Sequence, residues 1–365
     1  MTRVMQVGVG GFGEIWLDAL RGLDGTARIA ALVDRDPVAL EAAAERAGVA
    51  LRHCFTDLDA ALAAGLADVA VVVVPPEAHR AVAVECLEAG VPVLVEKPLA
   101  GTWADCLALV ETAQRTGLEL AVSQNYRYRP PMETARRVIA SGRLGAIGQA
   151  RVEFRHHYDF RGTFRETMEQ PLVLDMAVHH FDLIRFVSGL EATRVHAHTW
   201  NPPWSQFVHD ASAVCVFEME TGAHVVYEGS WHPRGQFTDW NCRWLLECER
   251  GYLRVDRDRV LMSAGTDPHA PPEPGDEVEI PLVPLARQDQ AAVLTDFVAA
   301  VAEGRPAPTT ATDNLRTIEM VLGAVEAARA GGDVGLDAHG AGLVGDGLRH
   351  QRGATGPARR NRGHD

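Results

Sequence analysis

Gly8-Val9-Gly10-Gly11-Phe12-Gly13 fits the pattern G-x-G-x-x-G. The first glycine of such a run permits a tight turn, the second lets backbone approach a pyrophosphate, and the third lets a helix pack closely. A helix starting there turns its unpaired N–H groups toward phosphate. Asp34 ends the next apolar run, where a carboxylate can accept hydrogen bonds from both ribose hydroxyls and repel a 2′-phosphate. That favours NAD. Arg35 follows directly, and a guanidinium there can receive the 2′-phosphate of NADP, so NADP stays open.

A second group can handle protons. Oxidising a secondary alcohol requires a base beside the hydroxyl as hydride leaves the same carbon, and an imidazole suits that task near neutral pH. Asp175 and His179 lie four apart in a predicted helix, with Asp182 three further on, so the three share one face. The carboxylate can orient the imidazole or bond the substrate. His180 lies about 100° around the helix and points elsewhere. Lys97 ends a predicted parallel strand, where ligands collect in open α/β sheets; its ammonium can bond a substrate oxygen and favour alkoxide character.

Other chemistries find little support. His156 and His157 add to His179 and His180, but no cysteine or acidic partner falls at a recognised ligand spacing, and no metal is expected. A nucleophile elbow and a P-loop are both missing, which disfavours acyl and phosphoryl transfer. The six cysteines are scattered and read as reduced packing residues.

The elements that must position these groups follow from periodicity. Apolar runs at 4–9, 29–33, 69–74 and 91–95 alternate with helical patterns at 15–21, 38–47 and 77–89, which predicts parallel strands with crossover helices. The continuous run Val71–Val74 suits a sheet buried on both faces. Residues 1–125 therefore read as an α/β, doubly wound nucleotide-binding domain of Rossmann type. Residues 126–330 read as a second, α+β domain, with helices near 131–140, 173–187, 288–303 and 313–329 around strands at 147–157 and from 195 to 280. Gly-rich residues 331–365, ending in arginines, are expected to be a disordered tail.

At 365 residues, with 47% hydrophobic and 23% charged residues, the chain has the composition of a two-domain globular protein. A net charge of -14 offers no field for nucleic acid or anionic lipid. No stretch is long enough to span a membrane and no basic leader is present. The expectation is a cytoplasmic protein with a small-molecule substrate.

Several motifs in order resemble one family. Ala89-Gly90-Val91-Pro92-Val93-Leu94-Val95-Glu96-Lys97-Pro98 is similar to the "AGKHVLxEKP" signature of the GFO/IDH/MocA oxidoreductases; Pro75-Pro76 with His79, Asn125-Tyr126-Arg127, and Asp175-Met176-Ala177-Val178-His179 also match. The resemblance runs from about Arg3 to Arg329. It implies that Lys97, Asp175 and His179 are the catalytic set. It also implies that Pro75, His79, Glu96, Lys97 and Asn125 join the glycine run with Phe12 at the cofactor, and that an open-faced, mostly antiparallel sheet in the second domain carries substrate residues and assembles homo-oligomers, dimer or tetramer. Arg127, Asp182 and Trp231 are substrate-binding candidates. Two departures stand out: Glu169–Leu174 replaces a glycine cluster before the catalytic aspartate, and Val74 stands where Thr or Ser often precedes the proline.

Trp200, Trp204, His209, Tyr227, Trp231, His232 and Trp240 cluster in the second domain. Sugar ring faces rest well on indole, although core or interface packing is the commoner use of Trp in such sheets. The expected function is reversible hydride transfer between NAD(P) and a secondary alcohol or ketone of a cyclic polyol, sugar or sugar derivative. Alternatives are an NADPH-dependent ketosugar or carbonyl reductase, a non-catalytic nucleotide-sensing regulator, and a glycosidase that recycles NAD.

Overall fold

A computed structural model describes residues 1–23, 25–265 and 276–336. The first half alternates strand and helix: β1 (Thr2–Val7), α1 (Gly13–Arg21), β2 (Ala27–Val33), α2 (Pro37–Ala47), β3 (Cys54–Phe55), α3 (Leu58–Ala63), β4 (Val69–Val72), α4 (Pro76–Glu88), β5 (Val93–Val95), α5 (Trp103–Thr116) and β6 (Leu120–Val122). All pairings are parallel, in the order β3-β2-β1-β4-β5-β6. The order reverses between β1 and β4, which opens a crevice at their carboxyl ends. Both faces are covered, as the unbroken apolar strands require: Val71 and Val73 pack toward α1, Ala70 and Val72 toward α4 and α5. Asp36 and Thr102 cap α2 and α5 by accepting from Val38 N and Asp105 N.

After Val122 the chain forms α6 (Pro130–Ala140), β7 (Ile147–Arg155), α7 (Phe164–Thr167), a widened helical turn at Leu172–Met176, α8 (Ala177–Ser188), and β8 (Ala192–Trp200), β9 (Ser212–Met219), β10 (His224–Ser230), β11 (Arg243–Cys248), β12 (Gly251–Asp256), β13 (Arg259–Ala264) and β14 (Val278–Ile280). Two helices, α9 (Asp289–Glu303) and α10 (Ala311–Ala330), and strand β15 (Val334–Gly335) follow. Among the described residues, the second sheet has nine strands in the order β14-β13-β12-β11-β7-β10-β9-β8-β15, antiparallel except for the parallel pair β7/β10. Burial alternates along β9 and β10, so one face lies on α8 and α10 while the other carries Arg151, Glu153, Arg243 and Glu228 outward.

Two expectations need correction. Residues 289–303 are expected in the second domain, yet Val293, Leu294, Phe297 and Val298 of α9 pack with Val4 and Val71 of the first sheet and with Trp16 and Leu20 of α1. The disordered tail does not begin at residue 331: Val334 and Gly335 pair with Val195 and Arg194, and Leu336 is buried. The short apolar contribution of three residues had no periodicity to reveal it. Residues 337–365 of that expected tail lie outside the described residues.

Candidate active site

The glycine run fills the turn between β1 and α1. Gly8 has φ +90, and a Cβ there would press into the carbonyl of Val73, just after β4. A Cβ on Gly13 would meet Gly8 O at 2.5 Å, so this glycine seats α1 against the turn. Gly10 and Gly11 face open space. Backbone is thus bare where a pyrophosphate would lie, in front of α1. Asp34, half-buried after β2, is already oriented: Oδ2 accepts from Val9 N at 2.9 Å and Oδ1 from Asp36 N at 3.0 Å. Arg35 beside it is exposed. This donor and acceptor set fits a dinucleotide.

The cleft between the sheets has a volume of about 580 Å³ and takes in Phe12 before α1, Ile15 from α1, Lys97, Asn125, Asp175, His179 and a wall of Tyr158, Phe160, Trp231 and Trp240. Lys97 reaches it because it stands two residues beyond the carboxyl end of β5. Its Nζ donates to the carbonyl of Asp175 at 2.8 Å and to Asp175 Oδ1 at 3.0 Å. Arg165, from α7, donates through Nε to Asp175 Oδ2 at 2.6 Å. Burial pushes the Asp175 carboxyl up, but these two cations outweigh it and hold the group well below the usual carboxylate range. It is an anion at any working pH.

His179 lies on the first turn of α8 with its Nδ1 buried and, among the described residues, without a hydrogen-bond partner. Its ring stacks on Tyr126 at 4.2 Å and 7°, and the Arg129 guanidinium lies 3.5 Å over the same Tyr126 ring. Burial first, then the charge of Lys97, keeps the imidazole neutral by lowering its pKa well below the ordinary value. His180 is turned away: Nε2 donates to the Trp240 carbonyl at 3.3 Å, leaving Nδ1 to accept from Tyr227 OH at 3.0 Å.

Residues 2–124 match the profile described as "Oxidoreductase family, NAD-binding Rossmann fold", and residues 132–254 match the "GFO/IDH/MocA C-terminal domain". The chain belongs to the GFO/IDH/MocA family. This GFO/IDH/MocA oxidoreductase is 30% identical over 345 residues to D-apiose dehydrogenase of Paraburkholderia graminis, which covers 90% of this chain and 88% of that one. It is 30% identical over 230 residues to inositol 2-dehydrogenase of Corynebacterium glutamicum strain R, covering 62% of this chain and 66% of that one. Among solved structures, the fold matches an oxidoreductase from Agrobacterium radiobacter in complex with NAD+, L-tartaric acid and magnesium, with a TM-score of 0.82 and 23% identity over 92% of this chain and 99% of that one. It also matches the WlbA dehydrogenase of Bordetella pertussis in complex with NADH and UDP-GlcNAcA, with a TM-score of 0.77 and 20% identity over 92% and 98%. Family membership makes the chain an NAD(P)-dependent oxidoreductase acting on CH–OH groups.

Within this family frame, Lys97, Asp175, His179, Asn125 and Trp231 meet at one cleft. Phe12 and Glu96 also line it, while His79, Arg127 and Asp182 do not. His79 is fully buried, its ring nitrogens 2.9 Å from the carbonyls of Pro98 and Val74. Burial lowers its pKa despite those two acceptors. It braces the turn that carries Lys97, and has no nitrogen left for a cofactor. Glu96 reaches the cleft, but its oxygens accept from Trp16 Nε1 at 2.8 Å and Lys97 N at 2.9 Å. Pro75 is the exposed residue before α4. Arg127 and Asp182 form a bidentate pair at 2.6 Å that extends to Asp313 and Arg185. Arg127 lines a separate cavity of about 490 Å³, so neither is placed to touch substrate in the cleft.

Asp175 does not orient His179 through a hydrogen bond. The widened turn at 172–176 breaks the four-residue register, and the carboxylate turns to Lys97 and Arg165. Arg165, Arg129, Tyr126 and Asp289 were missed as cleft residues. Only Tyr126 had a signal, its place between Asn125 and Arg127. Trp200 and Trp204 are exposed and away from the cleft wall. No helix among the described residues is long and apolar enough to cross a membrane.

Proposed function

We propose that this chain oxidises a secondary alcohol of a cyclic polyol, sugar or sugar derivative in the cytoplasm. The observation carrying this reading is the pairing of an anchored ammonium, Lys97 on Asp175, with a neutral imidazole, His179, that has an unsatisfied buried nitrogen in the same cleft. Backbone at Gly10 and Gly11, the start of α1 and the Asp34 carboxylate would hold NAD. When bound, NAD supplies the nicotinamide carbon that accepts a hydride.

The protein's part is proton handling and charge. Lys97 donates a hydrogen bond to the substrate oxygen and stabilises the negative charge that grows there, an effect strengthened in a dry cleft. Asp175 and Arg165 fix the lysine in advance, so no reorganisation is needed. His179 accepts the hydroxyl proton; the nearby charges of Lys97 and Arg129 then favour its passage to solvent, which resets the neutral ring. The aromatic wall offers flat apolar surface for a sugar ring.

The test is the absorbance of reduced nicotinamide across a polyol and sugar panel, comparing the wild type with Lys97→Ala and His179→Ala. Undiminished turnover in both variants would sink the assignment. A second reading is the reverse reaction on a ketosugar with NADPH, favoured by the exposed Arg35 beside Asp34. Measured affinities for NADH and NADPH separate the two; the orientation of Asp34 supports NADH. We further propose a homo-oligomer, dimer or tetramer, built on the outer face of the nine-stranded sheet, to be checked by light scattering.

A further inference from the structure

Hydride transfer from a neutral polyol leaves Arg165 without a purpose beyond holding Asp175. Lys97 already does that, with Nζ on Oδ1 at 3.0 Å. Arg165 adds a second cation, with Nε on Oδ2 at 2.6 Å and Nη2 on Oδ1 at 3.4 Å. One carboxylate cannot neutralise two cations, so this wall of the cleft keeps a surplus positive charge. Arg129 adds none, because Asp289 meets it at 2.8 Å. Glu96 is the remaining cleft carboxyl; its oxygens are engaged by Trp16 and the Lys97 amide, and burial favours its neutral form.

Arg165 is also equipped to bind. A guanidinium has five N–H donors. Asp175 takes those of Nε and one on Nη2, and among the described residues no acceptor meets Nη1. The side chain is 31% exposed, on the cleft lining. Phe164 and Phe160 lie 4.6 and 5.4 Å from it, which thins the water around the charge and strengthens what it attracts. Lys97 and Arg165 share one oxygen of Asp175, so both fall within reach of one small molecule.

We infer that the substrate carries a carboxylate, held by Arg165, a few carbons from the hydroxyl on which Lys97 and His179 act: a sugar acid or polyhydroxy acid. The inference rests on the hydride-transfer reading and narrows its substrate class. The planar fork of one guanidinium matches a carboxylate, whereas a phosphate with its larger charge calls for more donors than this wall supplies. The reaction balances as before, the alcohol becoming a ketone with its hydride on the dinucleotide and its proton on His179.

The test uses the NAD-loaded full chain with D-gluconate and D-galacturonate, their neutral counterparts D-glucose and D-galactose, and glucose 6-phosphate. Binding is measured by calorimetry and turnover by cofactor reduction. At least one acid should bind roughly ten- to a hundredfold tighter than its neutral counterpart, the range of a charge-assisted hydrogen bond. Arg165→Gln should erase that ratio, and Arg165→Lys should retain part of it. Failure of both acids to bind, preference for the phosphate, or an equal loss for acid and neutral sugar in Arg165→Gln overturns the inference. Arg165-dependent binding of acids without cofactor reduction by any panel member counts against the hydride reading alone.

Discussion

Tyr126 lies almost parallel to His179, with Arg129 over the same ring. Such a stack fixes the plane in which the imidazole meets a hydroxyl, and a small misplacement of a base is costly in rate. Tyr126→Leu is therefore expected to lower kcat roughly ten- to a hundredfold with little change in KM, while Tyr126→Phe, which keeps the ring, stays near wild type; steady-state kinetics decide it. Loss of His179 itself should remove roughly 10²- to 10⁴-fold, the usual worth of a general base. The buried imidazoles also tie stability to pH. Burial lowers the pKa of His179 well below 6.5 and brings that of His180 to about 3. Above 6.5 neither the folded nor the unfolded chain holds these protons. As pH falls below 6.5 the unfolded chain takes them up first, so stability is lost from there toward pH 3. The slope is about 1.4 kcal/mol per pH unit for each ring. Urea unfolding between pH 7 and 4.5 should show that decline, and His180→Gln should flatten it; an unchanged slope in the variant rejects the assignment.

Among the elements, the ones that announced themselves were those with unbroken apolar runs or a dense motif. The glycine turn, β4 and the strand leading to Lys97 were legible because a sheet buried on both faces leaves no polar residue to blur the pattern. Helix α5 and strand β6 escaped notice, and so did the two-residue β3, since short strands carry too little pattern to separate from loops. In the candidate site, Lys97 and His179 could be named from position, whereas Arg165 could not. It sits in a four-residue helix and meets Asp175 in the widened turn at 172–176, a backbone feature with no local sequence mark. Asp182 looked like part of a catalytic stripe because helical spacing shows which residues share a face, not what the face meets. It meets Arg127, and breaking such a buried pair from one side leaves a stranded charge. Asp182→Ala should therefore destabilise the chain by about 3–5 kcal/mol while NAD affinity of the folded fraction is kept, as thermal melts and cofactor titration can show.

At the scale of the whole molecule, the largest group of mutually packed apolar residues joins both sheets, from Met5 and Val72 through Leu109 and Phe181 to Phe217. A continuous core of this kind predicts one cooperative calorimetric transition, raised by NAD through mass action; two resolved transitions would show that the halves melt separately. Helix α9 adds a constraint of another sort. The face of the first sheet at Val4 and Val71 is covered partly by Trp16 and Leu20 of α1 and is completed by Leu294 and Phe297, residues translated long after the strands they cover. During synthesis the part of this face that α9 covers stays open until almost three hundred residues have left the ribosome. A gene truncated after β6 should therefore give aggregates in place of a minimal dinucleotide-binding fragment, as the soluble fraction on expression would show.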